Sequence, residues 1–304
     1  MSYISSVVIV IGINLIAVVG LTYFTGFTGL FSFGHAGFVA IGAYTSAIFY
    51  VTLGVPLVFS LLAGMLFAGL AAFLIGMPTS NIKGTYFAIV AMGFGEVIRI
   101  LLIVLKGVTK GAQGFSGIPL KTTAFLVVLL SVVSVWLVVN LVHSPLGRAS
   151  RALKTDEVAA QSCGIPLRYI RIFALIISAV FCGLAGGLTA FYQTYLSPDM
   201  FDIDYSSQLC IAVLVGGLGS VSGPVTATIL LFGLPEVLRF LSAWRMTIYG
   251  VIVVLTILIR PEGLFSGMKP IIKFGPGFRI SLNQEIKSDL GKVGKKGHDR
   301  KAEG

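Results

Sequence analysis

The sequence predicts an all-α, polytopic transmembrane helical bundle of about eight hydrophobic segments, including one or two glycine-rich broken or re-entrant helices. Three observations carry that prediction. The 304-residue chain is 56% hydrophobic and 11% charged, with a mean hydropathy of +0.96, more apolar surface than a soluble core absorbs. Its apolar residues gather into windows close to the roughly 20 residues that a helix needs to cross a bilayer. Its basic residues collect in one connector and in the tail.

The windows fall at Ile4 to Phe24, His35 to Thr52, Pro56 to Met77, Thr85 to Leu105, Thr123 to His143, Tyr169 to Leu196, Gln208 to Phe232 and Met246 to Ile259. Each is expected to be helical, because lipid offers backbone N–H and C=O groups no partner outside the helix itself. Met1 to Ser6 lacks the basic stretch of a cleavable signal, so the first window is expected to stay as a span. Residues 1–266 are read as a transmembrane domain, and 267–304 as a basic, disordered tail.

Lys and Arg orient the bundle. Arg148, Arg151, Lys154, Arg168 and Arg171 crowd the 144–171 connector, and nine more basic residues follow Gly267, which places both on the cytoplasmic side. Asp199, Asp202 and Asp204 stand in a stretch without basic residues, as an outer loop would, whereas Lys106, Lys110 and Lys121 fall outside against the rule. One conflict follows: a single crossing by Gln208 to Phe232 leaves the basic tail on the wrong side. Gly216, Gly217, Gly219, Gly223 and Pro224 break that window, so a re-entrant or discontinuous helix is expected there.

Few residues carry chemistry. Glu96 and Arg99 sit three apart near the middle of the fourth window, on one helix face. Two such charges cost about 5 to 7 kcal/mol to insert, against about 4 to 7 gained from the apolar residues around them, so this face must look into the bundle or a wet cavity. There they either line a solute pathway or lock helices together. Gly26, Gly29, Gly34, Gly37 and Gly42 punctuate the start of the chain, Gly93 and Gly95 the fourth window, and Gly183, Gly186 and Gly187 the sixth. Small residues let backbones approach, and paired glycine-rich breaks such as GFTGLFSFGHAG and VGGLGSVSGP also interrupt the helices of repeat-built transporters. His35, at the mouth of the second window, is a packing group or a pathway residue. The cysteines Cys163, Cys182 and Cys210 have no paired spacing, and no metal or cofactor site is expected. GKVGKKG in the tail has Asp289 and Lys296 where a nucleotide-binding loop needs Gly and Ser or Thr.

The most informative connector is SPLGRASRALKTDEVAAQSCGIPLRYIRIF, in which Leu153 to Cys163 reads as one short amphipathic helix ended by Gly164 and Pro166. Glu157, Ala159 and Ala160, with Gly164 four residues on, resemble the EAA-type loop of ABC importer permeases. In that family the loop docks on the ATPase subunit, so the resemblance makes 144–168 a cytoplasmic coupling loop.

With that loop in place, TGFTGLFSFGHAGFVAIGAYT, KGTYFAIVAMGFGEVIR, TKGAQGFSGIP, GGLGSVSGPV, LPEVLR and RPEGLF follow in order over residues 20–266, and the chain resembles the branched-chain amino acid ABC permease family, its LivM-type subunits in particular. The resemblance implies a bacterial inner-membrane permease that hydrolyses no ATP itself. Its partners would be a second homologous permease, two ATP-binding cassette subunits, an amino-acid-binding protein and the lipid bilayer, with no nucleic acid. Leucine, isoleucine or valine would be the cargo, and the expected pathway residues are Glu96, Arg99, His35, Gly93 and Gly95. Thr85 and TKGAQG depart from the family's usual residues, which leaves urea, amides or another amino acid as alternative cargoes. A stand-alone secondary transporter using Glu96 as proton carrier is a further reading.

Overall fold

Residues 3–82 and 84–237, with Gly250 and Val254, are described by a computed structural model. Along the chain run α1 (Tyr3–Leu21, continued by π-helical turns at Thr22–Gly26), α2 (His35–Val51), α3 (Leu57–Thr79), α4 (Thr85–Val104) and the short α5 (Lys106–Thr109). After them come β1 (Phe115–Ser116), α6 (Ala124–His143), α7 (Pro145–Thr155), α8 (Glu157–Ser162), α9 (Leu167–Gln193), β2 (Tyr195–Leu196), α10 (Ile203–Gly216) and α11 (Ser222–Val237). The first six apolar windows thus return as helices with edges shifted by at most three residues. Five of the helices are long and apolar enough to cross a membrane, and α2 is a shorter apolar helix. The eighth window, Met246 to Ile259, and the tail 267–304 lie outside the described residues.

Helix α9 is the pillar on which α1, α2 and α3 pack. Its small residues explain why. A Cβ on Gly42 of α2 would fall on the Gly183 backbone of α9, and one on Gly186 of α9 would fall on the Val39 carbonyl of α2. The two backbones are in contact, which only glycine permits. Helix α6 lies on α1 and α4 on α2, leaving much of α3, α4 and α6 as exposed Leu, Ile, Val and Phe side chains suited to lipid.

Contacts across the bundle show that two helices begin at mid-height. His35, the first residue of α2, bonds Ser178, near the middle of α9, whereas Tyr50 near the far end of α2 stacks on Phe191 near the far end of α9. The segment between α1 and α2 therefore dips inward from one end of the bundle. Ser206 of α10 accepts from the Ala36 amide, and Tyr205 donates to Asn14 in the middle of α1, so α10 also begins at mid-height, after a segment that dips from the opposite end. That second dip is anchored by β2, which pairs antiparallel with β1 (Phe115↔Leu196).

The window Gln208 to Phe232 is not one span. Helix α10 descends to a turn at 217–221, where Gly217 and Gly219 adopt φ of 103° and 106°, and α11 returns against α10 and α1. Gly216 and Gly223 face each other across this hairpin with no room for a side chain. The expected break is present, and it is a turn between two antiparallel helices.

Candidate functional site

The connector expected to be one helix from Leu153 to Cys163 is two. Ser144 caps the first, its Oγ accepting from the Gly147 amide (3.3 Å), and Pro145 fits the first helical position because its missing N–H would have no partner there. Asp156 then takes an extended conformation (φ −156°, ψ 112°), and its Oδ1 accepts from Val158 N (2.8 Å) and Ala159 N (3.1 Å). A capping aspartate thus ends α7 and starts α8, and an elbow results. Gly164, at φ 79°, closes the elbow in the left-handed conformation that favours glycine.

The elbow has an inner and an outer face. On the outer one, Ala159 and Gly164 are exposed and Val158 is 72% exposed. On the inner one, Ala160 is buried and the Glu157 carboxylate is ion-paired with Arg171 of α9. Arg171, only 6% exposed, also donates from Nη1 to the Ser80 carbonyl (2.9 Å), and Arg168 donates from Nε to the Ser80 hydroxyl (3.0 Å). Glu157 thereby ties α8 to the foot of α9 and the C-terminal end of α3. Helix α7 turns Ser150 toward Tyr23 (3.5 Å), places Arg151 over the Phe27 ring (5.5 Å) and sends Lys154 Nζ to the Gly26 carbonyl (2.9 Å).

At mid-height the two inward dips meet. His35 is fully buried, with Nδ1 against Ser32 Oγ (2.9 Å) and Nε2 against Ser178 Oγ (2.7 Å), between the Phe24 and Phe38 rings. Gly95 packs on the dip: a Cβ on Gly37 would stand 3.2 Å from its Cα. Gly93 faces open space on the exposed side of α4. Arg99 donates to Glu96 Oε1 (2.5 Å from Nη2) and to Asp199 Oδ1 (2.8 Å from Nη1), so the pair seen in the sequence is a triad that joins α4 to the second dip. Two small cavities flank Phe87, each with room for about one water molecule. Among the described residues no group of three His, Cys, Asp or Glu is placed to hold a metal ion.

Residues 3–259 match the family model of the branched-chain amino acid transport system permease component. The chain belongs to that permease family. The permease is 36% identical to the high-affinity branched-chain amino acid transport system permease protein LivM of Escherichia coli K12, over 87% of this chain and 70% of that protein. It is 35% identical to the LivM of Salmonella typhimurium LT2 over the same shares, and 24% identical to the E. coli permease LivH over 82% of this chain and 89% of that one. No solved structure matches it. With these relatives and its apolar helices, the permease is a multi-pass membrane transport protein.

Three residues that join this permease's elements were not singled out in its sequence as site residues. Lys154 and Arg171 counted there as orienting charges, and Ser80 not at all, since their partners lie 128 and 91 positions away. Ser144–Pro145, Asp156 and Gly164 are local signals that mark where the elbow begins, bends and closes, and of these the sequence reading used Gly164 as the helix stop.

Proposed function

We propose that this permease is the membrane subunit of a bacterial inner-membrane ABC importer, carrying leucine, isoleucine or valine inward on ATP hydrolysed by separate subunits. The observation that carries the reading is the family match over residues 3–259. The elbow supports it. An exposed Val158 at the tip of a polar connector is a knob suited to an ATPase groove, while Glu157 behind it carries a push into α9 and α3.

Because of the hairpin at 217–221, Gln208 to Phe232 is not the single crossing from which the orientation conflict arose. The end that carries α7 and α8 holds Arg148, Arg151, Lys154, Arg168 and Arg171, and by the positive-inside rule it would be cytoplasmic.

The pathway would run along a face of this chain, since the two cavities beside Phe87 are too small to pass an amino acid. Gly93 is exposed on α4, and Glu96 and Arg99, one and two turns on, are partly exposed, which suits a channel wall completed by a homologous second permease. Solute would arrive from a binding protein at the opposite end. A proton-carrying Glu96 gains no support, since its carboxylate is already paired with Arg99.

Co-expression with candidate ATPase and binding-protein subunits tests the reading. A stable complex that takes up radiolabelled leucine with ATP, and stops doing so with Glu157→Arg, is expected. A chain that binds no ATPase, or an unimpaired Glu157→Arg complex, refutes it.

A further inference from the structure

Lys154 stands where four pieces of backbone converge. Its ammonium donates to the Gly26 carbonyl (2.9 Å), at the end of the π-helical turns that close α1. The same nitrogen lies 3.7 Å from where a Cβ on Gly219 would stand, beside the C-terminal end of α10, and a Cβ on Gly26 would be 3.6 Å from the Gly219 amide. Gly29, at φ 77°, lets the first dip pass the lysine stem, since a Cβ there would stand 3.2 Å from Lys154 Cγ. The C-terminal end of α1, the negative end of its dipole, thus meets the ammonium, and the 217–221 turn stands beside it.

The flanking residues point to a joint with a second arrangement. Thr25 and Ser220, neighbours of Gly26 and Gly219, each bury a hydroxyl without a hydrogen-bond partner among the described residues. Buried polar groups are normally paired, so this packing leaves partners to be found when the breaks move. Lys154 and Glu157 lie on either side of the Asp156 bend. One bonds the first glycine-rich break and stands beside the second, and the other pairs with Arg171 of α9, which in turn bonds Ser80 at the end of α3.

We propose that Lys154 is a positioning residue for transport: through its ammonium the elbow holds both glycine breaks together, and movement of α8 is passed to them along this link. The proposal rests on the importer reading, in which an ATPase moves α8. Glu157 alone would move α9 and α3, whereas Lys154 reaches the break that leads into the first dip.

The test uses the complete transporter in proteoliposomes, with both permeases, the ATPases and the binding protein, and with radiolabelled leucine as probe. Lys154→Met is expected to assemble and hydrolyse ATP within about twofold of wild type, while leucine carried per ATP falls about tenfold, within the range of allosteric couplings. Lys154→Arg should restore the ratio, and Arg148→Met, on the exposed side of α7, should leave it unchanged. The proposal is overturned if Lys154→Met keeps the wild-type ratio or if it loses hydrolysis and uptake in parallel. A wild-type preparation that binds no ATPase overturns the importer reading itself, and is recognised before any variant is made.

Discussion

At the residue scale, two cations of the same loop do different work. Arg171 is buried against Glu157 and Ser80, and removing one partner of such a pair leaves a charge without its counterpart. Glu157→Gln should therefore lower stability by about 2–4 kcal/mol, below the full buried-pair figure because the glutamate is partly exposed. A Glu157→Leu, Arg171→Met double variant should recover most of that loss, and thermal unfolding in detergent measures both. Lys154 meets a carbonyl instead. Partial withdrawal of its ammonium from water lowers its pKa from 10.5. As pH rises, the charge is then lost before a free lysine would lose it, so leucine carried per ATP should decline at a pH below 10.5. In Lys154→Arg the guanidinium stays charged, and the ratio should be flat over that range. Neither partnership was legible in the sequence, because hydropathy and charge counts say which end of the bundle a cation favours and nothing about which carbonyl it meets.

At the element scale, glycines that share one composition separate into seam, turn and open face. Gly42→Leu would drive its side chain into the Gly183 backbone, which neither rotamer change nor relaxation of a neighbouring side chain relieves. It should cost more than the roughly 1–3 kcal/mol of ordinary overpacking and abolish the monodisperse peak in fluorescence-detected size exclusion. Gly93→Leu, on open space, should fold normally. If α4 lines the proposed pathway, the same variant should reduce leucine uptake severalfold, which a transport assay on the folded fraction decides. The glycine-rich run after Gln208 was legible as a break, yet a break is compatible with a kink, a re-entrant loop or a hairpin. The hairpin is decided by Gly216 against Gly223 across the turn and by α11 lying on α1, the second a contact between distant parts of the chain. The elbow shows the opposite balance: Ser144, Pro145, Asp156 and Gly164 are local signals, and closer attention to Asp156 would have divided the helix drawn from Leu153 to Cys163.

At the scale of the whole molecule, the proposed orientation makes one native cysteine a reporter. Cys163 is exposed at the end of α8, whereas Cys182 and Cys210 are buried. A membrane-impermeant maleimide should label Cys163 in inside-out vesicles and spare it in sealed right-side-out ones. Labelling in the reverse pattern would put the elbow outside the cell and remove the ground for ATPase coupling. The all-α class and the first six apolar windows came from the sequence alone, because burial in lipid demands long apolar helices whatever their neighbours. Hydropathy reads a residue's solvent, and the family motifs read its kinship. What only the tertiary structure decided was the mid-height starts of α2 and α10, the hairpin at 217–221, and the meeting of Lys154 with Gly26 and Glu157 with Arg171. Each depends on which backbones come within a few ångströms of each other, and that distance is set by helices packing together, not by any residue's own preference.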